Sequence, residues 1–419
     1  MIRYAFYNFK LGILKIGYTD TVVVSLDRVE QVDTDNEPST LTNLVFKQIS
    51  EYLHGQRQKF DFPYELYGTE FQKKVWEALR QIPYGETRTY KDIATVVGNP
   101  KASRAVGMAN HKNPLMIVVP CHRVIGTGGK LVGYAGGLDM KKALLELEHK
   151  KYKHTILKGE IKAEISSFVK NYEAKAEIST KWGMPLVGFA DAKHPFILNL
   201  KNIIGPNHEL PTDVLKDASI VIAYYIPFTK ELAKTNSSKH RLASSQWALA
   251  YEETNAMFKY LNQHIIEYLN SKGYNAAVSK ESATFSTEKL ISNWSHRHFA
   301  YIAGLGTFGI NNMLITKCGC CGRFFTIVTN LDIVPDSPLV NELCLYKKNG
   351  SCKICLKNCP AGALTELRYN RAKCYSLLKE NAAVYTEFGD SYFDETLTKT
   401  NSKGSEVCGK CITSSPCAF

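Results

Sequence analysis

The sequence predicts a multidomain protein of mixed α/β and α+β class, and three observations carry that prediction. The chain has 419 residues, more than one ordinary hydrophobic core accommodates. Helical stripes and short β-branched runs follow one another along most of it. Its cysteines are lopsided: of twelve, only Cys121 lies in the first 317 residues and eleven lie between 318 and 417. The two parts of the chain are therefore expected to do different chemistry. In order they read as a small α/β piece, a helix-turn-helix domain, a larger α/β domain and a small cysteine-rich domain.

Residues 1 to about 62 read as short strands and then a helix. "TVVVSL" (21–26) is β-branched and strand-like, and "LTNLVFKQISEYLHG" (41–55) carries an apolar helical stripe stopped by Gly55. "GTEFQKKVWEALRQIPYGE" (68–86) is a second helix, with Thr69 as N-cap and Phe71, Val75, Trp76 and Leu79 as its buried face. Residues 89–113 read as helix, turn, helix, broken at Gly98–Asn99–Pro100, with Lys101 and Arg104 near the start of the second helix. "PLMIVVP" (114–120) reads as a short buried strand or extended run that delivers Cys121, and 139–151 as a closing helix.

The basic stretch at 149–157 carries little pattern and is taken as a linker, with 151–157 as its bounds. An amphipathic helix (158–177), a strand and turn (184–192), a buried strand (218–226) and a long helix ended by Gly273 (247–273) follow.

A formal net charge of +12 favours a polyanionic partner, nucleic acid first; a lysine-rich solvated surface reads equally well from charge alone. No stretch has the apolar length of a membrane span, and the first twenty residues lack the core of a signal peptide. A cytoplasmic location and no membrane partner are expected. In a reducing compartment twelve cysteines call for a role other than disulfides.

Cys121 lies in "PCHRVIG" (120–126). A thiol needs a base or a positive environment to become a nucleophile, and His122 and Arg123 follow it. A Cys-His pair alone fits a buried thiol beside a structural histidine equally well. The wider sequence adds "FQKKVWEALRQIPYGETRTYKDIA", "ASRAVGMANHKNPLMIVVPCHRVIG" and "LVGYAGGLDMKKALLELE", in order and closely spaced. Together they resemble the O6-alkylguanine-DNA alkyltransferase family over roughly residues 1–150.

That resemblance implies roles residue by residue. Cys121 matches the acceptor of the alkyl group, His122 the base that deprotonates it through a water, and Glu148 the acid that orients the histidine. Asn113 matches the brace of the active-site turn, and Tyr90 the proton source for the departing guanine. Arg104 matches the side chain that enters the duplex where the base was, with Lys101, Thr89 and Ala102 beside it as DNA contacts. Tyr134 matches the loop over the extruded base. The implied reaction is single-turnover repair of O6-alkylguanine, and by extension O4-alkylthymine, in double-stranded DNA. Some relatives carry zinc in the N-terminal part; with no cysteine before 121, none is expected here.

The other end holds Cys344, Cys352, Cys355, Cys359, Cys374, Cys408, Cys411 and Cys417, the eight thiolates that two 4Fe–4S clusters need. "CKICLKNCP" is close to the bacterial ferredoxin run, with Asn349 in place of its first cysteine and Cys344 as the substitute. In that run the cysteine before proline serves the other cluster. The expected split is Cys344, Cys352, Cys355 and Cys417 against Cys359, Cys374, Cys408 and Cys411. Zinc would also take four-cysteine sets, although Cys-Pro-x-Gly-Ala is ferredoxin-like. Cys318, Cys320 and Cys321 are spare.

"PLVGFADA", "DASIVIAYYIPF" and "AYIAGLGTFGINNMLIT" with this tail resemble the epoxyqueuosine reductase family. The resemblance implies an α/β reductase-like domain with a ferredoxin-like double-cluster subdomain, an electron donor, and cobalamin as a ligand. Against cobalamin and the reduction stands "SATFSTEKLISNWSHRHFAYIAG", which lacks the family's aspartate; Glu288 is nearby but out of register. "GLGTFG" (304–309) also fits a dinucleotide fingerprint, without a β-rich strand before it. The expected domains are 1–64 and 65–150 (alkyltransferase), 158–337 (reductase-like) and 338–419 (ferredoxin-like). The alternative function is an iron–sulfur reductase or electron-transfer protein acting on tRNA or another substrate, with the first part as its nucleic-acid binding module.

Overall fold

A computed structural model describes residues 1–237, 239–280, 285–388 and 404–419. It divides into two compact units, Met1–Ile156 and Leu157–Phe419. Ser282, Ala283 and Thr284, which open the stretch where the reductase aspartate was sought, lie outside the described residues.

In the first unit, strands β1 (Arg3–Phe9), β2 (Gly12–Tyr18) and β3 (Val23–Val29) form an antiparallel sheet in that order. Helix α1 (Thr40–Leu53) starts at Ser39, whose side chain caps it in a box with Thr42. Its stripe of Val45, Ile49 and Tyr52 is wholly buried. Thr69 caps α2 (Glu70–Arg80) in the same way, and the Trp76 indole donates to Ala109 O at 2.9 Å. This bond ties α2 to α4 (Ser103–His111), which follows α3 (Tyr90–Val96) in the helix-turn-helix. Lys101 lies in the turn, before the helix rather than in it.

The sequence reading of 114–120 as a strand is corrected. Only Leu115 bridges a strand, at Leu26, and the rest is a tight turn with Ile117 at φ 71. Apolar residues fill it because the turn is buried, so hydrophobicity here marked depth rather than extended backbone. The linker at 151–157 holds the boundary between the two units, but it is not irregular chain. Residues 151–157 are helical, within the 36-residue helix α5 (Leu138–Glu173). Met140 and Leu144 bury in the first unit's core, and Ile161, Ile165 and Val169 in the second's. "HKKYKHTIL" between them shows no apolar period, yet nothing in it breaks a helix.

The second unit is built on an antiparallel sheet. Its strands are β4 (Leu186–Asp191), β5 (Ile220–Pro227), β6 (Ala276–Ala277) and β9 (Gly322–Thr329), in the order β4-β5-β9-β6. Every residue of the central β5 is buried. Ile220, Ile222, Tyr224 and Ile226 face one core with helix α6 (Ser245–Ser271), while Val221 and Ala223 face a second core with helix α7 (His296–Ile302). The period of two in β5 therefore serves two cores at once. "GLGTFG" does not open a helix: Gly306–Phe308 is strand β7, paired with β8 (Leu314–Thr316). The strand–loop–helix context of a dinucleotide site is missing, and that reading fails. No helix among the described residues is long and apolar enough to cross a membrane.

Candidate active site and cysteine cluster

Cys121 opens a single turn of 3-10 helix, Cys121–Arg123, entered through Pro120. The preceding turn is held by Asn113. Its side-chain amide donates to Val119 O at 2.9 Å and to Cys121 Sγ at 3.0 Å, and its Oδ1 accepts from Leu115 N. Cys121 is 5% exposed and His122 wholly buried.

His122 Nε2 lies 2.8 Å from Glu148 Oε1. An ionised carboxylate only accepts, so Nε2 carries the proton and Nδ1 is the basic nitrogen. That Nδ1 is buried with no partner among the described residues. Glu148 also receives Arg123 Nε at 2.8 Å, Arg123 Nη2 at 2.9 Å, Gly85 N at 3.1 Å and the Tyr52 hydroxyl. Burial alone would raise its pKa; the bonds and charges of His122 and Arg123 win and hold it at about 2. Burial pushes His122 down, against the pull of Glu148, and pushes the Cys121 thiol up, against the Asn113 contact and the Lys141 charge. The resting pair is a thiol and a neutral imidazole, and the thiol needs a base before it can attack.

Tyr90 sits within electrostatic reach of Cys121, and its hydroxyl donates to Val132 O at 3.1 Å. Tyr134 places its ring edge-on to His122 at 6.4 Å, with a buried hydroxyl that has no partner among the described residues. Arg104 and Lys101 are exposed, and Ala102 is half-buried at the N-cap of α4. Thr89 caps α3, its hydroxyl accepting from Asp92 N, so that group is committed to the fold.

Two residues of the site were not singled out from sequence, and a third, Arg123, was read only as a charge beside the thiol. Arg123 stood in the quoted motif and forks Glu148. Lys141 sits in a helix of charges yet is wholly buried, with Nζ on Val124 O at 2.6 Å and Val132 O at 2.8 Å. Tyr52 looked like one more residue of an apolar stripe.

The profile of the family described as 6-O-methylguanine DNA methyltransferase, ribonuclease-like domain, matches residues 2–66. Its DNA binding domain matches residues 70–150. A methylated-DNA–protein-cysteine methyltransferase of Mycolicibacterium paratuberculosis is 46% identical over 157 residues, covering 36% of this chain and 94% of that protein. The chain belongs to the methylated-DNA–protein-cysteine methyltransferase family. The solved structure of Mycobacterium tuberculosis OGT in complex with DNA is 45% identical, covering 35% of this chain and 92% of that one, with a TM-score of 0.33. An epoxyqueuosine reductase from Bacillus subtilis is 21% identical, covering 61% of this chain and 65% of that one, with a TM-score of 0.37.

Beyond the methyltransferase unit, Cys344, Cys352, Cys355 and Cys417 line one pocket with Ile310 and Ile315. Asn349 is not among its walls: it is exposed, its Oδ1 accepting from Ser351 N. Burial pushes the Cys411 thiol well up, and its sulfur neighbours Cys408, Cys374, Cys359 and Cys355 add to the shift. Cys408 is raised to about 11 by burial first, with Cys374 and Cys359 adding to it. No three His, Cys, Asp or Glu side chains among the described residues converge tightly enough for a single ion. Of the spare cysteines, Cys320 is buried with its Sγ 3.9 Å from Cys417 Sγ, Cys321 is buried against Ile412 O, and Cys318 is half-buried. Glu288 is exposed in a turn.

Proposed function

We propose that Cys121 takes the alkyl group from O6 of alkylated guanine in double-stranded DNA, once per molecule. The observation that carries this reading is the buried His122, bonded to Glu148 through Nε2 and left with an open Nδ1. A water between Nδ1 and Sγ passes the thiol proton to His122. The thiolate attacks the alkyl carbon, a C–S bond forms, the C–O6 bond breaks, and the guanine leaves as an anion that Tyr90 protonates. Asn113 holds the sulfur while Glu148 stabilises the imidazolium. Guanine O6 lies inside the duplex, so the base must be turned out to reach a sulfur this buried. Exposed Arg104 fills the gap in the stack and Lys101 grips phosphate, with Thr89 and Ala102 supporting that face through backbone contacts. Tyr134 walls the pocket that receives the base. O4-alkylthymine presents the same kind of alkyl–oxygen bond and is a second substrate.

For the second unit the reading is a pair of 4Fe–4S clusters, held by Cys344, Cys352, Cys355 and Cys417 and by Cys359, Cys374, Cys408 and Cys411. Four thiols line one pocket, the number one 4Fe–4S cluster takes, and the Cys-Pro-x-Gly-Ala run is ferredoxin-like rather than finger-like. Bound clusters would supply one-electron transfer, fed by an external donor. The chain's own part is to enclose the pocket in apolar side chains, which keeps water off the sulfurs. Neither reductive chemistry nor cobalamin is assigned, since "SATFSTEKLISNWSHRHFAYIAG" holds no aspartate.

The test is intact mass spectrometry after incubation with O6-methylguanine duplex. Wild type gains one methyl group and Cys121→Ser gains none; an unmodified wild type overturns the reading. An O4-methylthymine duplex is the second arm. Anaerobic iron and sulfide analysis tests the clusters, with about eight irons expected from eight ligands; zinc, or far less iron, overturns them.

A further inference from the structure

We infer that Tyr52, on a helix remote in sequence from the reactive thiol, is a positioning residue for the transfer reaction, acting through Glu148. The inference rests on the reading of Cys121, His122 and Glu148 as the reacting set.

Tyr52 is wholly buried on α1, next in the stripe after Val45 and Ile49. A stripe needing only apolar volume would take phenylalanine, because a buried phenol costs free energy unless its hydroxyl is bonded. Here the hydroxyl donates to Glu148 Oε1 and lies 3.3 Å from His122 Nε2. The ring is clamped by Phe60, 5.5 Å away, and edge-on by Tyr84 at 6.0 Å. The hydroxyl therefore cannot swing away without repacking the core.

The carboxylate has few lone-pair directions, and each is taken. Arg123 forks both oxygens, Gly85 N takes Oε2, and Oε1 is shared by His122 and Tyr52. The fork fixes the carboxylate plane. Tyr52 fills the direction on Oε1 beside the imidazole and holds His122 with Nε2 on the carboxylate and Nδ1 as the open nitrogen. Its phenol stays protonated, being pushed well above its ordinary value by burial and by the Glu148 charge. It is thus a permanent donor. Through it the N-terminal sheet-and-helix piece, which carries none of the reacting atoms, holds the relay in place.

Tyr52→Phe keeps the ring and removes the donor. Glu148 then keeps more of its charge for His122, which protonates more readily. The other groups facing the pair, Arg123, Lys141, Tyr84, Tyr134 and Cys121, are unchanged. At saturating O6-methylguanine duplex, the rate of adduct formation falls about ten- to hundredfold, the scale of one hydrogen bond to a charged group. DNA affinity stays the same, and the acid limb of the rate–pH profile moves to higher pH. Combined with Glu148→Gln, the substitution adds no further loss, since both remove one relay. An active wild type with Tyr52→Phe at the same rate overturns the inference alone. So does a slower variant whose acid limb has not moved, or whose loss adds in full to that of Glu148→Gln, because either marks packing only. A wild type that forms no adduct overturns the transfer reading, and this one with it.

Discussion

His122 and Glu148 are joined through Nε2 and Oε1 at 2.8 Å, and both side chains are almost wholly sealed from solvent. The same carboxylate neutralises the buried guanidinium of Arg123. One acid thus holds a histidine in its reactive tautomer and keeps a buried cation paired. Glu148→Gln breaks both roles. Leaving Arg123 buried without a counter-charge costs about 3–5 kcal/mol, read as a lower unfolding midpoint of the first unit. Methyl transfer slows by about a hundredfold or more, the range for a disabled base, read by single-turnover mass spectrometry.

Arg104→Ala separates binding from folding. The side chain is exposed, so the unfolding midpoint is unchanged. Affinity for duplex with a flipped base falls, as does the transfer rate at low DNA concentration. Lys101→Ala weakens binding to every sequence alike and lowers the slope of log affinity against log salt by about one. Fluorescence anisotropy across a salt series reads both.

The second unit carries a pH threshold of its own. His208 stacks on Trp294 and accepts from Ser295 N through Nε2, which only the neutral ring can do. Burial holds it at about 4, and His298 likewise. Both folded values lie below the ordinary 6.5, so their contribution is complete above pH 6.5 and is lost as pH falls toward 4. Hydrogen exchange in α7 should rise through that window. His208→Gln keeps an acceptor for Ser295 N and flattens the dependence.

Gly319 has φ +79, and a Cβ there would stand 2.0 Å from Ala418 O. The adjoining backbone is paired, Cys320 N donating to Cys417 O at 3.0 Å. Gly319→Ala therefore displaces the segment that carries Cys417. Iron bound per chain falls while methyl transfer at Cys121 continues. Cys320→Ser, which leaves that backbone alone, retains the iron.

Much of this was legible because local signals agreed with the fold. Ser39 was not named, but the stripe after it was, and Thr69 caps the helix assigned to it. Cys121, His122, Asn113 and Glu148 could be read together because motif order brings them together. Two signals misled. The apolar run 114–120 suits a buried turn as well as a strand, and the choice depends on Asn113 and on Ile117 at φ 71. The stretch 149–157 has helix-forming residues without an apolar period, so pattern alone left its helix unread although the boundary between the units lies there. Tyr52 and Lys141 were hidden for another reason. A tyrosine in an apolar stripe and a lysine in a charged helix each look ordinary until a partner 96 residues away, or a pair of backbone carbonyls, is seen.

Strand β5 has a consequence for how the second unit tolerates change. Its even residues enter one core and its odd residues the other, so a slip of one position would drive Tyr224 into the space shaped for Ala223 while leaving a void behind. An error cannot be absorbed on one side alone. The strand acts as a key cut on both edges, and variation in this unit should gather at its rim and leave β5 nearly fixed.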